Sequence, residues 1–252
     1  MRETAEPGRP GLFFTGTDTG VGKTFVTAAV ARLLRAQGRD VVVCKPVATG
    51  ARRVGGRWLA DDTVALAEAA GLAGDWERVT PWAFPDPVAP PLAARRQGAA
   101  LTLAAVAQAV RDRARPRAAL LVEGVGGLLC PLTDEATVAD LARDLALPLV
   151  VVARRSLGTL NHTLLTLEAA RARGLAVAGV VVSETVPPEG LADETNVDEL
   201  RRLGVPVLAV VPHQPGGARA GAPALAAVDW WGLCEGRSRP PSPRYSGERG
   251  RG

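Results

Sequence analysis

Thr15-Gly16-Thr17-Asp18-Thr19-Gly20-Val21-Gly22-Lys23-Thr24 is the stretch on which the fold turns. It follows the apolar run Leu12-Phe13-Phe14 and opens a helical pattern, Phe25-Val26-Thr27-Ala28-Ala29-Val30. Strand, glycine-rich turn, Gly-Lys-Thr and helix, in that order, read as a phosphate-binding loop. The glycines let consecutive backbone N–H groups converge on an anion, and the helix N-terminus adds partial positive charge. Lys23 then reaches the outer phosphates, and the Thr24 hydroxyl is a candidate ligand for Mg²⁺. Five residues separate Gly16 from Gly22, one more than the strict pattern allows.

The chain of 252 residues is 47% hydrophobic, enough for one α/β domain with a sizeable core. Aromatics are only 4%, so that core must be Ala, Leu and Val. Cys44, Cys130 and Cys234 lie far apart without CxxC spacing, which argues against a disulfide framework or zinc site and for a reducing cytoplasm. There is no charged-then-apolar leader, and no apolar run approaches the roughly 18 residues a membrane span needs. From Glu235 onward, five arginines and two glutamates supply +3 of the +4 net charge. The rest is near neutral, without the basic stripe that nucleic acid requires. Lys23 and Lys45 are the only lysines among 30 basic residues. In a chain so biased to arginine, a retained lysine marks a place that needs a compact ammonium instead of a planar fork.

Working outward, residues 1–10 read as a disordered N-terminus, 11–234 as the domain and 235–252 as a low-complexity tail. The second strand, Val41–Cys44, ends at Pro46 and delivers Lys45 and Thr49 to its C-terminal edge, where open parallel sheets bind ligands. Residues 51–60 read as a loop, and Asp61-Asp62 as the cap of a helix over Thr63–Ala70. Residues 75–98 suggest turns, a short strand near Trp82 and a short helix. A helix over 102–115 leads to the strand Ala118–Val122, which presents Glu123-Gly124-Val125-Gly126 at the same edge. Helices at 136–145, 159–173, 193–203 and 222–233 then alternate with strands at 149–153, 176–182 and 205–211. That alternation predicts a P-loop-type parallel sheet with helices on both faces.

Three strand ends therefore offer one set of groups. Glu123 stands where a P-loop protein places its metal-organising carboxylate, and Asp62 is a second candidate oxygen. Mg²⁺ takes few protein oxygens and completes its shell with water and phosphate, so Thr24, Asp62 and Glu123 suffice. Asp62 reads equally well as a plain N-cap. Lys45 could face a γ-phosphate opposite Lys23, an arrangement suited to phosphate transfer onto an anionic acceptor.

Four motifs, Gly16–Thr24, Lys45-Pro46-Val47-Ala48-Thr49-Gly50, Val122-Glu123-Gly124-Val125-Gly126-Gly127 and Leu157-Gly158-Thr159-Leu160-Asn161-His162, resemble the dethiobiotin synthetase family in order and separation. The long phosphate loop is that family's form. The resemblance implies ATP- and Mg²⁺-dependent closure of a ureido ring on 7,8-diaminopelargonate with CO₂, by a homodimer. It implies catalytic roles for Lys45 and Lys23 and nucleotide contacts from Gly20, Val21, Gly22, Lys23, Thr24 and Phe25. Asp62, Glu123, Gly124, Val125 and Gly126 would approach nucleotide, metal or substrate. Thr49 matches a substrate-contacting hydroxyl, and Gly158, Thr159 and Asn161 match a helix start that meets the substrate carboxylate across the dimer. His162 reads as a packing residue.

The pattern departs at Ser183-Glu184, where family members often carry Asn-Asp and the Asn reads adenine. A serine lacks the amide's paired donor and acceptor. Ser183 and Glu184 remain candidate nucleotide contacts, with base selectivity then looser or moved to backbone groups near Pro212, His213 and Gln214. Two competitors are weaker. A cobyrinate-synthetase-like ligase usually adds a glutaminase domain, for which there is no room. A nucleotide-switched dimerising ATPase carries an early loop lysine, and position 17 is Thr.

Overall fold

The computed structural model describes residues 9–187, 189–213 and 223–237. The chain opens with β1 (Gly11–Gly16), α1 (Lys23–Ala36), β2 (Val41–Cys44) and β3 (Val47–Ala48). A small excursion follows: β4 (Arg52–Val54), β5 (Arg57–Leu59), α2 (Asp61–Ala70), α3 (Trp76–Val79), β6 (Trp82–Ala83) and α4 (Pro90–Arg96). Regular alternation resumes with α5 (Leu103–Arg111), β7 (Ala119–Gly127), α6 (Val138–Leu145), β8 (Leu149–Arg154) and α7 (Thr159–Ala172). The last elements are β9 (Val177–Ser183), α8 (Leu191–Arg202), β10 (Val207–Val211), α9 (Pro223–Ala226) and α10 (Trp230–Cys234).

The main sheet has six strands in the order β10-β9-β8-β1-β7-β2, and every pairing is parallel. Its strands read as unbroken apolar runs because both faces are covered. Leu12 and Phe14 pack with α1, α2 and the C-terminal helices, whereas Phe13 packs between α5 and α6 on the opposite face. A third cluster joins Val151 and Val182 to Leu167 of α7 and Leu200 of α8. With so few aromatics, one Phe14–Trp230 contact at 6.4 Å anchors the C-terminal helix, and the Trp230 indole donates to the Leu225 carbonyl at 2.7 Å. The chain leaves β1 toward β2, returns to β7 and then crosses to β8, so β1 lies at the reversal of strand order, where α/β sheets open a crevice.

Several expectations need correction. Residues 51–60 are not a plain loop: β4 and β5 form an antiparallel hairpin, Arg53 pairing with Trp58. Helix α2 starts at Asp61, its N-cap is Ala60, and no side chain caps it. Asp61 and Asp62 therefore sit inside the first turn, complementing its positive end instead of capping it. Helix α5 stops at Arg111, where the chain turns toward Arg117, whose φ of 62° no helix accommodates. Strand β7 runs on through Gly127, since Gly16 of β1 still pairs with it there. The final helix divides into α9 and α10, with Asp229 accepting from Gly232 to start the second. Residues 1–8 and 238–252 lie outside the described residues, as does position 222.

Candidate functional site

The loop between β1 and α1 owes its shape to two glycines. Gly22 is the N-cap of α1 at φ 91°, a left-handed conformation costly for any other residue. A Cβ at Gly16 would lie 2.7 Å from the Asp18 carbonyl and 3.0 Å from Lys23 Nζ. No side chain caps α1 and its first turn holds no acid, which leaves its N–H groups for an anion. Lys23 is buried and folds back over the loop, donating to the Asp18 carbonyl at 3.0 Å. Burial holds its pKa below the ordinary lysine value, and the Glu123 carboxylate opposes that only in part.

Three further elements bring their ends to the same place. Lys45, one residue past β2, is 5% exposed, and Glu123, within β7, is 0% exposed. Lys45 Nζ donates to Glu123 Oε1 at 3.0 Å and pairs with Asp62 of α2. The Thr24 hydroxyl donates to the same Glu123 Oε1 at 2.7 Å. Burial alone would lower the Lys45 pKa; the Glu123 and Asp62 carboxylates outweigh it and hold Lys45 above its ordinary value. Asp62 is pushed up by burial but pulled further down by Lys45, so its carboxyl stays ionised below the usual range. The result is a knot in which one ammonium serves two carboxylates.

The knot lies at one wall of an open cleft of about 630 Å³. Of the candidate site residues, Gly20, Gly22, Lys23, Thr24, Phe25, Lys45, Thr49, Asp62, Val125 and Gly126 line it. Val21 points into the core, so only its backbone faces the loop. Glu123 reaches the cleft through Thr24 and Lys45, and Gly124 is there to let β7 pass: a Cβ would meet Val138 at 2.7 Å. Gly158, Thr159 and Asn161 open α7 away from this cleft. Thr159 is buried there with its hydroxyl unpartnered, whereas Asn161 and His162 are exposed.

Sequence reasoning missed the opposite wall, Pro87-Val88-Ala89-Pro90, and the contributions of Thr19, Cys130 and Thr185. The prolines carried a signal, since Pro90 and Pro91 occupy the first two positions of α4, where the missing N–H costs the helix nothing. Cys130 lies against Gly126, where a Cβ would come 2.9 Å from its sulfur. Burial pushes this thiol up, while Lys23 pulls it down.

The oxygens around Lys45 suit a hard divalent cation. Glu123 Oε2 is fully buried and has no hydrogen-bond partner, an orphan that a cation would satisfy. Among the described residues no cluster of three or more His, Cys, Asp or Glu forms a metal cage. An ion here would rely on Thr24, Asp62, Glu123 and phosphate oxygens, the donor set that fits Mg²⁺.

The family described as an AAA domain matches residues 10–219. The ATP-dependent dethiobiotin synthetase BioD of Anaeromyxobacter dehalogenans strain 2CP-C is 47% identical over 210 residues, covering 83% of this chain and 92% of that protein. The chain belongs to the dethiobiotin synthetase family. The Mycolicibacterium vanbaalenii protein of the same name is 44% identical over 221 residues, 87% of this chain and 91% of that one. A chain of the MinC:MinD cell division protein complex of Aquifex aeolicus aligns at TM-score 0.50 and 13% identity, covering 90% of this chain and 94% of its own. That likeness concerns the P-loop fold alone.

Within the dethiobiotin synthetase frame, Ser183 and Glu184 take an unexpected part. Both were expected to contact the nucleotide, and neither lines the cleft. Ser183 is 3% exposed and lies behind the phosphate loop: a Cβ at Gly22 would come 2.7 Å from its hydroxyl. Glu184 Oε1 is paired with Arg155, and Oε2 accepts from the His213 backbone N–H at 2.9 Å. Both oxygens are engaged in pinning the Pro212-His213 segment at the end of β10. Pro212 and His213 do not line the cleft either, and Gln214 lies outside the described residues.

Proposed function

We propose that this chain is an ATP-dependent dethiobiotin synthetase that closes a ureido ring on 7,8-diaminopelargonate. The observation that carries the reading is Lys45, a buried ammonium at the cleft wall, beside the phosphate loop and set against two carboxylates. One substrate amine bonds to CO₂ and loses a proton, giving a carbamate. A carbamate oxygen takes the γ-phosphoryl group of ATP, and ADP leaves. The second amine then attacks the carbamoyl carbon, phosphate departs and the ring closes.

Each residue has a part that follows from its position. The N–H groups of the Gly20–Thr24 loop and Lys23 hold the triphosphate. Lys45 lowers the cost of bringing an anionic carbamate against an anionic phosphate, a repulsion that is strong away from bulk water. Thr49 lines the same cleft as the loop's lysine and is suited to contact the acceptor. Thr24, Asp62 and Glu123 would hold Mg²⁺, which supplies charge neutralisation at the phosphates when bound.

We further infer a homodimer in which Gly158, Thr159 and Asn161 of one protomer meet the substrate carboxylate bound by its partner. The α7 start has no side-chain cap and does not line its own cleft. Leu157 beside it is 86% exposed and Leu165, two turns on, is 60% exposed, as an association surface would require. A reducing intracellular compartment fits three free thiols, two of them buried.

Phosphate release from ATP, CTP and GTP, with and without diaminopelargonate and bicarbonate, tests the reading. Release that requires both co-substrates supports it. Release indifferent to them would instead favour a nucleotide switch.

A further inference from the structure

Lys45 has two duties that its position makes exclusive. The acceptor-side role needs its ammonium free to meet an anion in the cleft. In the structure that ammonium is engaged with Asp62 and lies 3.0 Å from Glu123 Oε1. That same oxygen accepts the Thr24 hydroxyl at 2.7 Å, so Thr24, Asp62 and Glu123 already converge on one point. A divalent cation would draw on Thr24, Asp62 and the second, unpartnered oxygen of the same Glu123 carboxylate, Oε2. An ion held about 2.1 Å from those oxygens would stand within roughly 5 Å of an ammonium bonded to the same carboxylates. Lys45 is 5% exposed and Glu123 0%, so little water screens the two positive charges from each other. Lys23 has no such conflict, because it is anchored on the Asp18 carbonyl.

We propose that Lys45 is the resident counter-ion of the cation site, and that ammonium and divalent cation exchange during the reaction cycle. The cation arriving with nucleotide displaces Lys45 toward the cleft, which delivers the lysine to the acceptor. In the other direction, an acceptor anion that draws Lys45 into the cleft frees Asp62 and Glu123 for the cation. The two binding events are then reciprocally coupled, each tightening the other by the same factor. The exchange rests on the proposed cation site of Thr24, Asp62 and Glu123, and the identity of the acceptor rests in addition on the synthetase reading.

Titration of nucleotide-free protein with Mn²⁺, followed by the paramagnetic resonance of the free ion, tests this. Lys45→Gln is expected to bind Mn²⁺ at least about tenfold more tightly than the parent chain, since it loses a competing charge at contact distance. Diaminopelargonate with bicarbonate is expected to tighten Mn²⁺ binding by the parent and leave Lys45→Gln unchanged. Equal Mn²⁺ affinity in the two proteins overturns the exchange. Removing the ammonium also leaves two carboxylates facing each other, which destabilises the variant. Saturating Mn²⁺ should therefore raise its melting temperature more than it raises that of the parent, and equal shifts count against the proposal. If the Mn²⁺ difference holds while phosphate release ignores the diamine, the exchange stands and the synthetase reading falls.

Discussion

Gly22→Ala probes the joint between the phosphate loop and the sheet. At φ 91° an alanine sits in left-handed space, which costs about 1–2 kcal/mol. The new methyl would also stand 2.7 Å from the Ser183 hydroxyl and 3.6 Å from Thr185 Cγ2. Ser183 is the last residue of β9 and is held in the ladder with Val211 and Arg154, so it cannot retreat freely. Relief must come from the loop. Adding the clash brings the distortion to about 2–4 kcal/mol, which converts to a loss of nucleotide affinity of about 30- to 1,000-fold. Titration calorimetry with a non-hydrolysable ATP analogue measures that loss directly. Global stability in urea should fall by less, because the loop can shift while the sheet stays folded. Ser183→Gly in the same background removes the obstructing hydroxyl but not the backbone strain. It should restore part of the affinity, with a coupling of about 1 kcal/mol in the double-mutant cycle. Affinity of Gly22→Ala within threefold of the parent, or no coupling to position 183, would show that the loop does not bind phosphate in the described geometry.

Lys45→Gln should abolish substrate-dependent phosphate release while leaving nucleotide affinity largely intact, as parallel turnover and binding assays would show; collapse of both would assign Lys45 to the nucleotide alone. Ala146 closes α6 in left-handed conformation at φ 53°, so Ala146→Gly should raise stability in urea by about 0.5–1 kcal/mol. Asp140 accepts from the Thr137 backbone at 2.9 Å and its hydroxyl at 2.7 Å, and the backbone bond chiefly holds its carboxyl below the usual range. Asp140→Ala should cost about 1 kcal/mol at neutral pH. Because the folded-state value is depressed, that contribution is present above the ordinary carboxylate range and fades as pH falls through the depressed value. Denaturation curves of the two proteins should therefore converge in acid; a gap independent of pH would deny the charge any part.

The outline of the fold was legible because its strands carry unbroken apolar runs that only a sheet covered on both faces can bury. Strand β1 and helix α1 could be bounded almost to the residue, since Gly22-Lys23-Thr24 marks the junction chemically. Between Thr49 and Arg96 the helix α2, the short strand at Trp82 and the short helix α4 were legible, whereas the β4–β5 hairpin and the one-turn α3 were not. Strands of three residues and a helix of four carry too little periodicity to be read. That is also why the proline wall at 87–90 went unread. Asp62 illustrates a different limit: its place in a helix's first turn was visible, but its pairing with Lys45 depends on how α2 packs against β2, which no local pattern encodes.

Positions 183 and 184 show how a correct observation can lead to an incomplete inference. The resemblance implies Asn-Asp where this chain carries Ser183-Glu184, and it is the resemblance that points these positions at the nucleotide base. In the structure the Ser183 side chain abuts the phosphate loop, and the Glu184 carboxylate ties Arg155 to the backbone of His213. Arg155 in turn donates to the carbonyls of Asp193 and Glu194 in the first turn of α8. The charged pair thus holds three sheet-end segments in register, with Arg155 and Glu184 side chains only 21% and 7% exposed. A buried pair of this kind is costly to break from one side, because the remaining charge is left without a partner. With both Glu184 oxygens committed and the serine hydroxyl turned to the loop, no side chain at these positions is free to distinguish one base from another.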